Sequence, residues 1–456
     1  MDNLQTNIAA VNQQRAKHNK TRYYILAMIF LVTSLNYGDR ATLSMAAAPM
    51  SQELGLSSVT MGYIFSAFGW AYVIGQIPGG WLLDKFGARR VYFWSIMLWS
   101  FFTILLGFVD ILGSIPLIIA SLFILRFLVG LSESPAFPGN SQIVAAWFPT
   151  KERGTAAAIF NSAQYFATVI FAPFMGWLVA HIHWQSVFWI MGGLGIVIAF
   201  IWLKVIYSPE KHPTINSNEF KYLQAGGAIT SMGENQLKIA DENNKMNFKN
   251  IKKLLSSRML LGIFIAQYCI TCLTYFFITW FPVYLVKERH MSILEAGFAA
   301  VLPALCGFIG GVLGGVISDK LIKMNKSLTF SRKFPIIFGM LLSTSIVVCN
   351  YVDSQTAILF FMSLAFFGKG FGALGWAVMS DVAPKEMVGL SGGLFNTFGN
   401  TAGIVIPIAI AIGYIINSTG SFNGALVFVG IHAVIAIICY LFMVGKIHRF
   451  ELKPTS

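Results

Sequence analysis

Five charged side chains stand where charge is expensive. Asp39, Arg40, Arg126, Glu133 and Lys369 all fall inside long apolar runs. A charge at the centre of a bilayer costs at least ~2.5–3.5 kcal/mol on insertion scales, so such residues are functional candidates by default. In the stretch "LVTSLNYGDRATLS", residues 31–44, Asp39 and Arg40 are neighbours. Glu133 follows Arg126 by seven residues, about two turns or ~10 Å along one helical face. Lys369 has no acid in its run until Asp381, ~18 Å further on. Cations near one depth suit an anionic solute, and buried carboxylates can load and release protons near neutral pH. The plain alternative is ion pairs that only join helices. It is an even match for one pair and a weaker account of five charges.

Uncharged polar groups fall at the same depth. Tyr37 and Tyr72 lie in the first two runs, Asn161 and Gln164 are i, i+3 in the fifth, and Asn396 and Asn400 are i, i+4 in the eleventh. Trp376 follows Lys369 by two turns. Amides, phenols and indoles are what a hydroxyl-rich ligand requires, although any single one is more often an interhelical contact.

The elements that carry these residues follow from composition. The chain has 456 residues, 56% hydrophobic and 11% charged, with a mean hydropathy of +0.68. That apolar excess must face lipid. Runs near the ~20 residues a spanning helix needs occur at 23–48, 58–82, 91–110, 115–138, 155–180, 185–206, 259–285, 293–317, 334–352, 356–380, 389–416 and 423–445. They are too long for barrel strands. The expected fold is an all-α polytopic membrane protein of twelve transmembrane helices in two six-helix halves. A tail, 1–22, precedes the first half, 23–206. A linker, 207–258, leads to the second half, 259–445, and a tail, 446–456. No cleavable signal peptide is evident. Within the linker, "MNFKNIKKLL" reads either as a short interfacial helix or as plain linker. Cys269 and Cys272 form a C-x-x-C with no second pair or histidine at ligand spacing, so no metal is expected.

Of 32 Lys and Arg, three lie in spans and two, Lys287 and Arg289, in odd-numbered turns, which leaves 27 on the other side. The positive-inside rule then puts both termini and the linker in the cytoplasm. This bias explains the net charge of +13 through anionic lipid, so no nucleic-acid partner is called for.

The halves repeat at an offset of 235 residues. Gly80 meets Gly315, Asp84 meets Asp319, Lys85 meets Lys320, Pro149 meets Pro384, and Asn161 meets Asn396. Parallel repeats of six spans place a site between the halves near the midplane. Residues 80–90 read "GWLLDKFGARR", in which Gly80, Asp84, Lys85, Gly87, Arg89 and Arg90 match G-x-x-x-D-[RK]-x-G-x-[RK]-[RK]. This resembles the signature of the major facilitator superfamily between its second and third spans. Its physical reading is a tight Gly turn with an acid at a helix end, a cytoplasmic latch. The second copy keeps Gly315 and Asp319 and should latch more weakly.

The whole chain resembles the anion:cation symporter branch of that superfamily, and within it the bacterial glucarate/galactarate proton symporters. The stretches that carry this include "NYGDRATLS", "RFLVGLSESPAFPGNSQIVAAWFP", "FNSAQYFATVIFAP" and "FFGKGFGALGWAVMSD". The resemblance implies an Asp–Arg pair on the first span, carried by Asp39 and Arg40, and an Arg and a Glu on the fourth, carried by Arg126 and Glu133. It implies sugar-acid contacts at Tyr37, Tyr72, Gln164, Trp376 and Asn396. The expected activity is proton-coupled import of a six-carbon aldarate across the bacterial inner membrane. It would use protons on Asp39 and Glu133 as coupling ions, no other cofactor, and a monomer. A monocarboxylate sugar acid, galactonate or hexuronate, is the alternative. A drug-efflux antiporter would carry a Gly-Pro-rich fifth span, and an organophosphate exchanger a seventh-span Arg; both are missing. No nucleophile–base spacing supports an enzyme.

Overall fold

The computed structural model describes residues 21–149, 152–230, 248–384, 388–412 and 421–451. Helices dominate because a chain in lipid must satisfy every backbone N–H and C=O within itself. Nine of the described helices are long and apolar enough to cross a membrane. Three more, Thr21–Glu53, Ser58–Phe86 and Ala88–Leu106, complete twelve crossings.

The first half comprises α1 Thr21–Glu53, α2 Ser58–Phe86, α3 Ala88–Leu106, α4 Ile115–Trp147, α5 Arg153–His181 and α6 Trp184–Val205. The second comprises α7 Arg258–Thr279 (continued by Phe281–Lys287), α8 Ile293–Lys323, α9 Leu328–Asn350, α10 Gln355–Val382, α11 Val388–Asn400 with Ala402–Ile412, and α12 Asn423–Met443. Serine side chains cap α2, α4, α7, α8 and α9 at Ser57, Ser114, Ser257, Ser292 and Ser327, each accepting a first-turn N–H. Ser292 and Glu295 close a full capping box.

Several expected continuous spans are interrupted. α7 breaks at Trp280, where Pro282 cannot supply a helical N–H. α10 tightens to 3₁₀ geometry over Phe371–Leu374. The signature's turn is made by Gly87, at φ 80°; Gly80 lies inside α2 and forms no turn. Arg89 donates to the Leu203 carbonyl at 2.7 Å and covers the Tyr207 ring. Lys85 lies over Trp81, and Arg90 is exposed. The side chain of Asp84 lies outside the described residues. Asp319 is largely exposed, 3.6 Å from Arg332, which makes its shorter contact, 2.8 Å, with Asp381.

The first part of the linker is packed structure. A helix at Ser217–Ala225 lies against the first half, and its Glu219 is fully buried. That carboxylate accepts from the backbone N–H groups of Thr21 and Arg22, the open start of α1. Arg22 also pairs with Glu152 at 3.3 Å. Residues 1–20, 231–247, 452–456 and Lys385 lie outside the described residues. The stretch Phe248–Leu255 is helical, with Leu254 buried.

The halves meet through α2 on α11, α5 on α8 and α1 on α7. These contacts concentrate towards the face opposite the termini. A Cβ on Gly69 would lie 2.5 Å from the Gly403 backbone, and one on Gly176 would lie 2.9 Å from the Ile293 carbonyl. Phe65 packs edge-on against Trp280 at 5.3 Å. Nearer the termini, Cβ atoms on Gly80, Gly315, Gly392 and Gly393 would meet nothing within 4 Å.

Candidate functional site

The buried charges of the first half form one cluster with a defined wiring. Arg40 on α1 gives its Nε–H to Oε2 of Glu133 on α4 at 2.9 Å, and both are buried. Asp39 takes no part in that pair. Consecutive helical residues point ~100° apart, and Asp39 turns towards α3, where the Thr103 hydroxyl donates to it at 2.8 Å. The expected Asp39–Arg40 pairing is therefore replaced by Arg40–Glu133 and Asp39–Thr103. Arg126 does not hold Glu133 either, since ~10 Å of rise separates them; its Nη2 donates to the Arg40 carbonyl at 2.8 Å.

Aromatic rings enclose the guanidinium groups. Arg40 lies 4.8 Å from the Tyr37 ring, 4.7 Å from Tyr72 and 5.0 Å from Phe68. Arg126 lies 4.9 Å from that same Phe68 ring. Desolvated cation–π contacts of this kind contribute up to ~2 kcal/mol each and help hold two cations close together. Among the described residues, the buried N–H donors on Arg40 Nη2 and on Arg126 Nε and Nη1 meet no acceptor, and the buried Glu133 Oε1 meets no donor. Such donors are matched to a carboxylate.

Amides join this cluster to the second half. Asn396 Nδ2 donates to Gln76 Oε1 at 3.3 Å, Asn400 donates to Asn396 Oδ1 at 3.0 Å, and the Tyr275 hydroxyl donates to Asn400 Oδ1 at 3.0 Å. Gln76 lies one turn from Tyr72 on α2. Lys369 stands apart, buried beside Tyr165 and Phe366 at 5.5 and 4.9 Å from their ring centres. A cavity of about 60 Å³ between the halves is lined by Tyr37, Gln164, Tyr165, Thr168, Thr274 and Phe366, well below the ~300–1,000 Å³ of small-molecule sites.

The remaining expected contacts are looser. Asn161 and Gln164 bond to backbone carbonyls of their own helix. Trp376 is 43% exposed and packs edge-on against Phe395. Sequence reasoning missed Phe68, Thr103, Tyr165 and Gln76. The four-residue step from Tyr72 flags Gln76; nothing local flags Thr103. Among the described residues no group of three His, Cys, Asp or Glu side chains stands together as a metal site.

Residues 29–407 match the family model described as Major Facilitator Superfamily. The chain belongs to the major facilitator superfamily. Among similar superfamily members is a protein of Escherichia coli (strain K12) named "Probable galactarate/D-glucarate transporter GudP", 63% identical over 96% of this chain and 97% of that one. A protein of the same name from Bacillus subtilis (strain 168) is 61% identical over 96% and 95%. A solved structure of a bacterial homolog to the human lysosomal transporter Spinster shares the fold at 16% identity. Its TM-score is 0.70 over 94% of this chain and 98% of that one.

Proposed function

We propose that the protein carries a six-carbon aldarate, galactarate or D-glucarate, into the cell together with protons by alternating access. The observation that carries this reading is the buried pair Arg40 and Arg126, two ring-enclosed cations whose buried N–H groups at Arg40 Nη2 and Arg126 Nε and Nη1 meet no acceptor among the described residues. A carboxylate supplies the acceptors those donors lack. The close relatives' names supply the substrate class. Asp39 and Glu133, on opposite sides of the cluster, are the proton stations. Tyr37, Tyr72, Gln164, Trp376 and Asn396 contact substrate hydroxyls, and Lys369 takes the second carboxylate from the other half. One carboxylate at each half makes a dianion a bridge between them.

The Lys and Arg bias places both termini in the cytoplasm of a bacterial inner-membrane protein. The contact near the far face is then an inward-facing state, and the acting unit is a monomer. Purified protein in liposomes tests the reading. With an inward-directed proton gradient, labelled galactarate and glucarate should accumulate above equilibrium, and collapsing the gradient should release them. Accumulation of neither acid, or accumulation indifferent to the gradient, overturns it. A cysteine at Ser114 should react with an impermeant thiol reagent from outside.

A further inference from the structure

We propose that Tyr165 is a positioning residue for Lys369: the face of its ring holds the ammonium in the empty site, and so tunes preference for a second anionic group on the substrate. The claim rests on the reading of Lys369 given above, and its first test does not.

The geometry is specific. Lys369 belongs to α10, Tyr165 to α5, so their contact crosses between the halves. Among the described residues no carboxylate lies within ion-pair distance of Lys369, and the two aromatic faces are its charge-compatible neighbours. Tyr165 is itself held on three sides. Its ring meets Phe366 at 6.3 Å and Phe308 at 6.1 Å, both edge-on. Gly307 on α8 leaves the space it enters, since a Cβ there would lie 2.9 Å from Tyr165 Cε1 and 2.8 Å from Phe366 Cδ1. Phe366 is fixed in turn by Phe277 of α7 at 4.0 Å. The ring is thus a knob from one half set into the other, where a lone ammonium is buried.

A ring quadrupole attracts a cation without neutralising it. A carboxylate would do both, and would leave no charge for an incoming anion. An aromatic holder therefore keeps the amine charged and placed while the site is empty, yet yields to a substrate carboxylate. Because Tyr165 and Lys369 lie on opposite halves, that exchange of partners also loosens a contact between the halves, which links occupancy to their rocking.

The first test needs no substrate. Purified protein is treated with a small amine-acylating reagent near pH 7, and the labelling rate of Lys369 is followed by mass spectrometry, with Lys287 as internal control. Tyr165→Leu should raise the Lys369 rate about fivefold, and Tyr165→Phe, which keeps the ring, should stay within about twofold of the parent. Equal rates in all three proteins, or a rise in Phe as large as in Leu, overturns the proposal. In liposomes, Tyr165→Leu should raise the ratio of the galactarate KM to the galactonate KM about tenfold, and Tyr165→Phe should restore the parent ratio. Equal loss for diacid and monoacid shows a merely structural ring and overturns the specificity role. The labelling result standing while the parent carries neither acid would refute the aldarate reading alone.

Discussion

Arg40 and Glu133 form a buried ion pair between α1 and α4 at 2.9 Å, while Asp39, the residue before Arg40, turns away by ~100° and is held by Thr103 at 2.8 Å. Two acids in one cluster thus have separate partners, a guanidinium and a hydroxyl. In the symport proposed above, substrate reaching Arg40 would compete directly with Glu133 and only indirectly with Asp39, and proton movement at Glu133 would be tied to substrate binding through one shared cation.

Glu133→Gln keeps the shape and removes the charge that balances Arg40. Accumulation driven by a proton gradient should fall to background, while counterflow exchange stays within about threefold of the parent. Parallel uptake and counterflow assays check this. Accumulation against a gradient by the variant would take the coupling role away from Glu133.

Thr103→Val removes the hydroxyl that holds Asp39 and leaves an isosteric methyl. A hydrogen bond to a charged group contributes ~1.5–3 kcal/mol, so the ratio of gradient-driven to exchange transport should drop about tenfold without a change in KM. Thr103→Ser should restore it. A change confined to KM would mean that Asp39 serves binding.

Gly69 and Gly403 let α2 and α11 touch by their backbones near the far face. Gly69→Val cannot fit at 2.5 Å and should disfavour that closed state. Uptake should fall about tenfold or more, and a cysteine at Phe65, now buried against Trp280, should label faster. Unchanged labelling at that cysteine would show that the contact does not govern closure.

His212 packs edge-on against Trp147 and Tyr207, and burial lowers its affinity for a proton below the usual histidine range. The undocked segment keeps the ordinary value near 6.5 and so binds more protons. Docking of residues 207–215 is at full strength above that value and weakens as pH falls through it towards the lower, docked value. Hydrogen exchange corrected for intrinsic rates should show more opening of this segment near pH 5.5 than near pH 7.5, and His212→Gln should abolish the difference. Equal protection at both pH values in the parent would refute it.

The sequence by itself determined the membrane class, the twelve crossings and the repeat, because lipid demands long apolar runs and closed backbone hydrogen bonding regardless of partner. It also picked out Asp39, Arg40, Arg126, Glu133 and Lys369, since a charge in such a run is rare enough to be noticed alone. It did not determine which charge meets which. Neighbours in sequence diverge by ~100° on a helix, so the partner of Arg40 lies 93 residues away and that of Asp39 lies 64 away. The packed linker helix was hidden for a similar reason: Glu219 looks like any exposed acid until α1 presents its free N–H groups. Tyr165 is one apolar aromatic among many until the halves come together and set it beside Lys369. Helix positions follow from local composition; pairing across helices follows from rotation and tilt, which only the assembled bundle fixes.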